Sequence, residues 1–94
     1  MYDWREGWRK ARVERVGRAD ELGGKHYSDC RAWATREQLA SAHFAVLSYE
    51  NMSRPRRRVV PLHVGEAFGP GDLVYMNLRD CDIPLATRTS IVRN

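Results

Sequence analysis

The spacing of apolar residues changes character along the chain. In the first segment Trp4, Trp8, Ala11, Ala19 and Leu22 recur at intervals that gather them on one side of a helix over 1–22. Arg12 and Arg15 intrude on that side, and Gly7 weakens it. Asp3 stands three residues before Glu6, a capping-box spacing, and Gly17 offers a C-terminal stop with Arg15 and Arg18 at the negative end of the dipole. Such a helix needs a surface to lie on. A loop containing Gly23 and Gly24 follows, then a short helical turn near 29–34. A second helix is predicted over 35–50, opened by a Thr35/Gln38 capping box, with Leu39, Ala40, His43, Val46 and Leu47 as its buried stripe. Phe44 and Tyr49 fall off that stripe, and "HFAVLSYE" also admits a strand, because a short apolar run has no diagnostic period.

The last third alternates with period two. Val60, Leu62 and Val64 share one face, as do Val74, Met76 and Leu78. Between them Gly69-Pro70-Gly71-Asp72 has proline and glycine at the central positions of a type II turn. The pattern predicts two antiparallel strands joined by a loop, with Pro61 confining its strand to an edge or a bulge. The stretch "TRTSIVRN" adds a short third strand. Two strands alone are marginal, so their apolar faces should pack on the second helix. The predicted architecture is a single small α+β domain. Two N-terminal helical segments pack on a C-terminal antiparallel hairpin or short three-stranded sheet. Its parts are a basic, tryptophan-containing helix (1–22), a second helix (35–50), an Arg-rich loop (51–58), and the hairpin region with its tail (59–94).

Composition supports a folded chain with a small core. It has 94 residues, 43% of them apolar, and its three Trp, four Tyr and two Phe are too many for a solvating tail. No apolar run approaches the roughly 18–20 residues that span a bilayer. The opening residues lack a secretory apolar core, and Asp3, Glu6 and Glu14 interrupt what would otherwise suit a mitochondrial presequence. An intracellular location, cytoplasm or organelle matrix and not secreted, is therefore expected. Cys30 and Cys81 are expected to stay reduced there. Asn51-Met52-Ser53 fits a glycosylation pattern that has no weight without a secretory route.

Charge alters the picture more than composition does. The net charge is +4, and it is unevenly spread. Residues 1–18 carry six basic and three acidic side chains, and residues 51–65 carry four arginines and no acid. Fourteen of the sixteen basic residues are Arg, whose planar fork binds phosphate or carboxylate through two bonds and stacks on flat surfaces. Arg54, Arg56, Arg57 and Arg58, with Arg9 and Arg12, are the candidate contacts to nucleic acid or to an acidic partner. Held extended by Pro55, the 54–58 cluster suits a minor groove or an RNA backbone. Trp4 and Trp8 either belong to the core or anchor the chain in a partner's groove.

Candidate chemistry is sparse. His26, Cys30, His63 and Cys81 match no zinc spacing, so neither a metal nor another cofactor is expected. Asp80 and Asp82 flank Cys81 and make it a poor nucleophile. His26, His43 and His63, with Arg57 or Arg58 on a phosphate and Tyr75 nearby, form a conceivable ribonuclease set, but no phosphate loop, nucleophile elbow or paired-acid motif supports it. The expected function is non-enzymatic. The chain reads as a small basic accessory subunit that docks through its Arg-rich segments on a larger assembly, either an RNA–protein particle or a multisubunit organellar complex. A phage or mobile-element protein that inhibits or regulates a nucleic-acid-handling machine is the alternative, and a small ribonuclease-type toxin is the third reading.

Overall fold

The computed structural model describes residues 2–24 and 28–88. Its centre is a mixed six-stranded sheet built from β1 (Trp8–Arg18), β2 (Ser28–Asp29), β3 (His43–Asn51), β4 (Arg54–Pro61), β5 (Leu73–Asn77) and β6 (Ala86–Thr87). The strand order is β2-β4-β3-β1-β5-β6, antiparallel throughout except where β2 runs parallel to β4. One helix, α1 (Arg36–Ser41), and three 3-10 turns (Trp4–Glu6, Ala19–Glu21 and Cys30–Trp33) complete the described elements. None of these helices is long and apolar enough to cross a membrane.

The expected α+β architecture with two N-terminal helical segments is therefore wrong, and each error has a local cause. The predicted 1–22 helix is mostly β1. A register shift between Val13 and Arg15 inserts an extra residue, so buried Ala11 and Val13 and half-buried Val16 share a face despite unequal spacing. That bulge gives a strand a helix-like apolar interval. The predicted 35–50 helix stops at Ser41, and the apolar run after it is the central strand β3. Phe44 and Val46 are buried on one face of β3, while Ala45, Leu47 and Tyr49 are buried on the other. Burial on both faces abolishes the period-two signature. The Thr35/Gln38 capping box is present, with the Gln38 amide donating to Thr35 Oγ1 at 3.1 Å and the Thr35 amide donating to Gln38 Oε1 at 2.9 Å.

The predicted Arg-rich loop (51–58) is instead the end of β3 at Asn51, a tight turn, and the start of β4 at Arg54. In that turn Met52 and Ser53 both have positive φ, 53° and 65°. This conformation ordinarily calls for Asn-Gly, so Met-Ser carries no hairpin signal. The Gly69-Pro70-Gly71-Asp72 turn does form, with Gly71 at φ 92° and the Asp72 amide donating to the Gly69 carbonyl at 3.1 Å. It does not fold β5 back onto β4. Both edges of β4 are occupied, by β3 and by β2, and the turn instead bonds Val13 through Gly71 N–H (2.7 Å) and Asp72 C=O (2.9 Å). The following strand consequently pairs with the free edge of β1. Of the expected third strand, 87–94, only Thr87 falls in a strand, β6, and 89–94 lie outside the described residues.

The core has two parts. On one face Val13, Leu47, Val60, Val74 and Met76 pack with Leu85, and Leu62, Phe68 and Leu78 cover them. On the other, Phe44, Val46 and Val59 are sealed by Ala19, Leu22, Ala34 and Ala42 from the segments around α1. Fully burying a side chain such as Phe44 contributes about 1.5–3 kcal/mol. Val64, expected on the inward face, is fully exposed beyond the end of β4. Cys30 and Cys81 form a disulfide with Cα atoms 5.8 Å apart, which overturns the expected reduced state. The bond ties the Cys30–Trp33 turn to the loop after β5.

Candidate functional site

Residues in antiparallel register share a face, and this places the polar residues of β1, β3, β4 and β5 in rows. Arg12 stands opposite Leu73 on one side and Ser48 on the other, and Ser48 stands opposite Arg57. Along β1 the next position on that face is Lys10, opposite Tyr75. These rows continue the face that carries Phe44 and Val46, but the covering segments stop short of them. The result is an open groove of about 730 Å³, lined among others by Tyr2, Trp8, Lys10, Arg12, Tyr75 and Arg88.

Aromatic rings form one end of this groove. Tyr2 stacks on Tyr75 with centroids 4.4 Å apart and planes 12° apart, and meets Trp8 edge-on at 4.8 Å. Cations form its floor. Lys10 and Arg12 line it, and Arg57 stands just beyond, opposite Ser48 on the same face; the side chains of all three are exposed and make no hydrogen bond or ion pair with the described residues. Two carboxylates lie in the same region. Glu14, at the bulge, accepts the Ser48 hydroxyl, and Glu50 is exposed on the rim. Of the charged residues that line the groove, Arg9, Lys10, Arg12 and Arg88 are cations and Glu50 is the carboxylate.

The six candidate arginines thus part company. Strand alternation sends Arg57 to the open face, with Arg12, and sends Arg56 and Arg58 to the opposite face, across from Tyr49 and Leu47. Arg54 is exposed at the hairpin turn. Arg9 clamps the N-terminal turn. Its guanidinium lies 3.9 Å from the Trp4 ring centroid and donates to the carbonyls of Trp4 and Trp8 at 2.9 Å, and its Nε donates to Asn51 Oδ1 at 3.3 Å. Trp4 remains 57% exposed under this cation, whereas Trp8 is half-buried against Tyr2.

Arg58 is the outlier, only 5% exposed. It donates to the Leu78 carbonyl at 3.1 Å and to the sulfurs of Cys30 and Cys81 at 3.5 and 3.6 Å. Desolvation lowers its pKa from the ordinary arginine value, and the charge interaction with Tyr49 opposes this. Arg31 behaves oppositely. Its bond and ion pair with Asp29, 2.7 Å at the shortest, raise its pKa. No positional signal in the sequence separated Arg57 from Arg58. Strand alternation would have done so, had the segment been read as a strand.

Among the described residues no cluster of His, Cys, Asp and Glu suits a metal ion. His43 is exposed at the start of β3 rather than buried on a helical stripe, and His63 lies beyond β4 with its Nε2 buried and unbonded. Neither hydrogen-bonds Arg57, Arg58 or Tyr75, and His26 lies outside the described residues. Sequence reasoning found Arg12 and Arg57 but missed Tyr2, Lys10, Ser48 and Arg88, which enter only through strand pairing. Comparison with protein-family profiles, curated proteins and solved structures gave no match.

Proposed function

We propose that this chain is a non-enzymatic binding module, an accessory subunit of a larger RNA–protein assembly, that lays single-stranded RNA across the open half of its sheet. The observation that supports this is the adjacency of stacked rings and uncompensated cations on one face: Tyr2, Tyr75 and Trp8 beside Lys10, Arg12 and Arg57. Unpaired bases stack on aromatic side chains carried by exposed sheets, and each stack contributes about 1–3 kcal/mol. Phosphates follow the neighbouring cations, which have no carboxylate to give up. Paired bases offer no free face to the rings, so single strands are preferred to duplex. Ser48, between Arg12 and Arg57, donates its hydroxyl proton to Glu14 and keeps its oxygen to accept from a ribose hydroxyl.

The test is a titration with short oligouridine, followed by intrinsic tryptophan fluorescence and by anisotropy of the labelled RNA. Binding should quench Trp8, and Tyr75→Ala should weaken it roughly tenfold, within the value of one stacked base. Equal affinity for single strands and duplex, or an unchanged constant for Tyr75→Ala, contradicts the reading.

A further inference from the structure

A second groove, of about 430 Å³, lies beside the edge of β4 and is lined by both cysteines, Arg58, Trp33, Asp80 and Asp82. Three features of it are unusual for a purely structural disulfide. Cys81 is partly exposed to the groove, whereas Cys30 is only 2% exposed. One buried guanidinium nitrogen, Arg58 Nη2, faces both sulfurs. That guanidinium has no carboxylate partner among the described residues, and its Nε is buried and unbonded. A cation held this way favours a thiolate over a thiol.

We propose that Cys30–Cys81 is a reactive disulfide that oxidises a dithiol by exchange, with Arg58 stabilising the departing thiolate. A partner thiolate attacks Cys81 Sγ, the sulfur on the groove. A mixed disulfide forms, the Cys30–Cys81 bond breaks, and its electron pair leaves on Cys30 Sγ beside Arg58. The partner's second thiolate then attacks its own sulfur in the mixed disulfide and releases Cys81 as a thiolate facing the same Nη2. The partner dithiol loses two electrons and two protons and becomes a disulfide, while this chain ends as the dithiol. One dithiol is oxidised per chain. Trp33, 81% exposed at the groove, gives a polypeptide partner an apolar edge to rest on.

The opposing charges are Asp29, Asp80 and Asp82. Asp29 is neutralised by Arg31. Asp80 and Asp82 are exposed, so water screens them, whereas the buried Arg58 acts through a poorer dielectric. Arg79, also exposed on the groove, adds to the positive side, and Tyr49 acts on Arg58 in the direction that favours its charged form. The balance favours the thiolate, the reverse of what Asp80 and Asp82 alone imply.

The experiment follows the reduction of the folded, oxidised chain by dithiothreitol, and the alkylation of the reduced chain against pH. At least one thiol should react as a thiolate well below the ordinary thiol pKa of about 8.5. Arg58→Met should return it towards that value and slow reduction about tenfold, and Arg58→Lys should restore most of the rate, because a lower leaving-group pKa speeds exchange. Should Arg58→Met fail to fold, the wild-type chain in urea is the comparison, and the native disulfide should be reduced faster than the unfolded one. A native disulfide that resists reduction until the chain unfolds overturns the proposal. So does a thiol that titrates normally, or a rate indifferent to Arg58→Met.

Discussion

Along a single face of β3, Phe44 and Val46 lie sealed beneath Ala19 and Leu22, while Ser48 lies open between Arg12 and Arg57. β4 repeats the division, with Val59 sealed and Arg57 exposed. The same strands serve two purposes because the covering residues, Ala19 and Leu22 with Ala34 and Ala42 at the two ends of α1, meet only the Phe44, Val46 and Val59 part of the face. Where they end, side chains change from apolar to basic. Stability is therefore concentrated in one half of the face, and the other half is left free to bind. A residue's effect should depend on which half it occupies rather than on its strand.

Substitutions sharpen this division. Phe44→Ala, in the closed half, should cost about 3–5 kcal/mol in urea unfolding, enough to threaten a domain of this size. Opening the disulfide by replacing Cys30 and Cys81 with Ala should cost about 2–4 kcal/mol by the same measurement, because the bond closes a long loop. Arg57→Ser, in the open half, should change stability by less than about 0.5 kcal/mol. A cost for Arg57→Ser comparable to that of Phe44→Ala would erase the distinction.

The features legible in the sequence are those fixed by neighbouring residues. Gly69-Pro70-Gly71-Asp72 forms its type II turn and Thr35 caps α1, because both depend on contacts three residues apart. Val74 and Met76 alternate inward as their spacing predicts. Features set by distant parts of the chain leave no such local signal. The bulge in β1 disguised a strand, burial of β3 from both sides removed its alternation, and a turn through Met52 and Ser53 has no glycine to announce it. Read as a loop, 51–58 presents its arginines as a single charged arm. Strand geometry instead divides them between a binding face and a buried contact with sulfur. Tyr2 and Tyr75 become neighbours only when β5 pairs with β1.

The salt dependence of RNA binding tests the central claim most directly. For the wild-type chain, the logarithm of the oligouridine binding constant should fall linearly with the logarithm of salt concentration. The combined Lys10→Ser, Arg12→Ser and Arg57→Ser variant should keep its fold and lose about 0.7 from that slope for each phosphate contact removed. A slope unaltered by removing these cations would show that the open half of the sheet is not where the phosphate backbone lies.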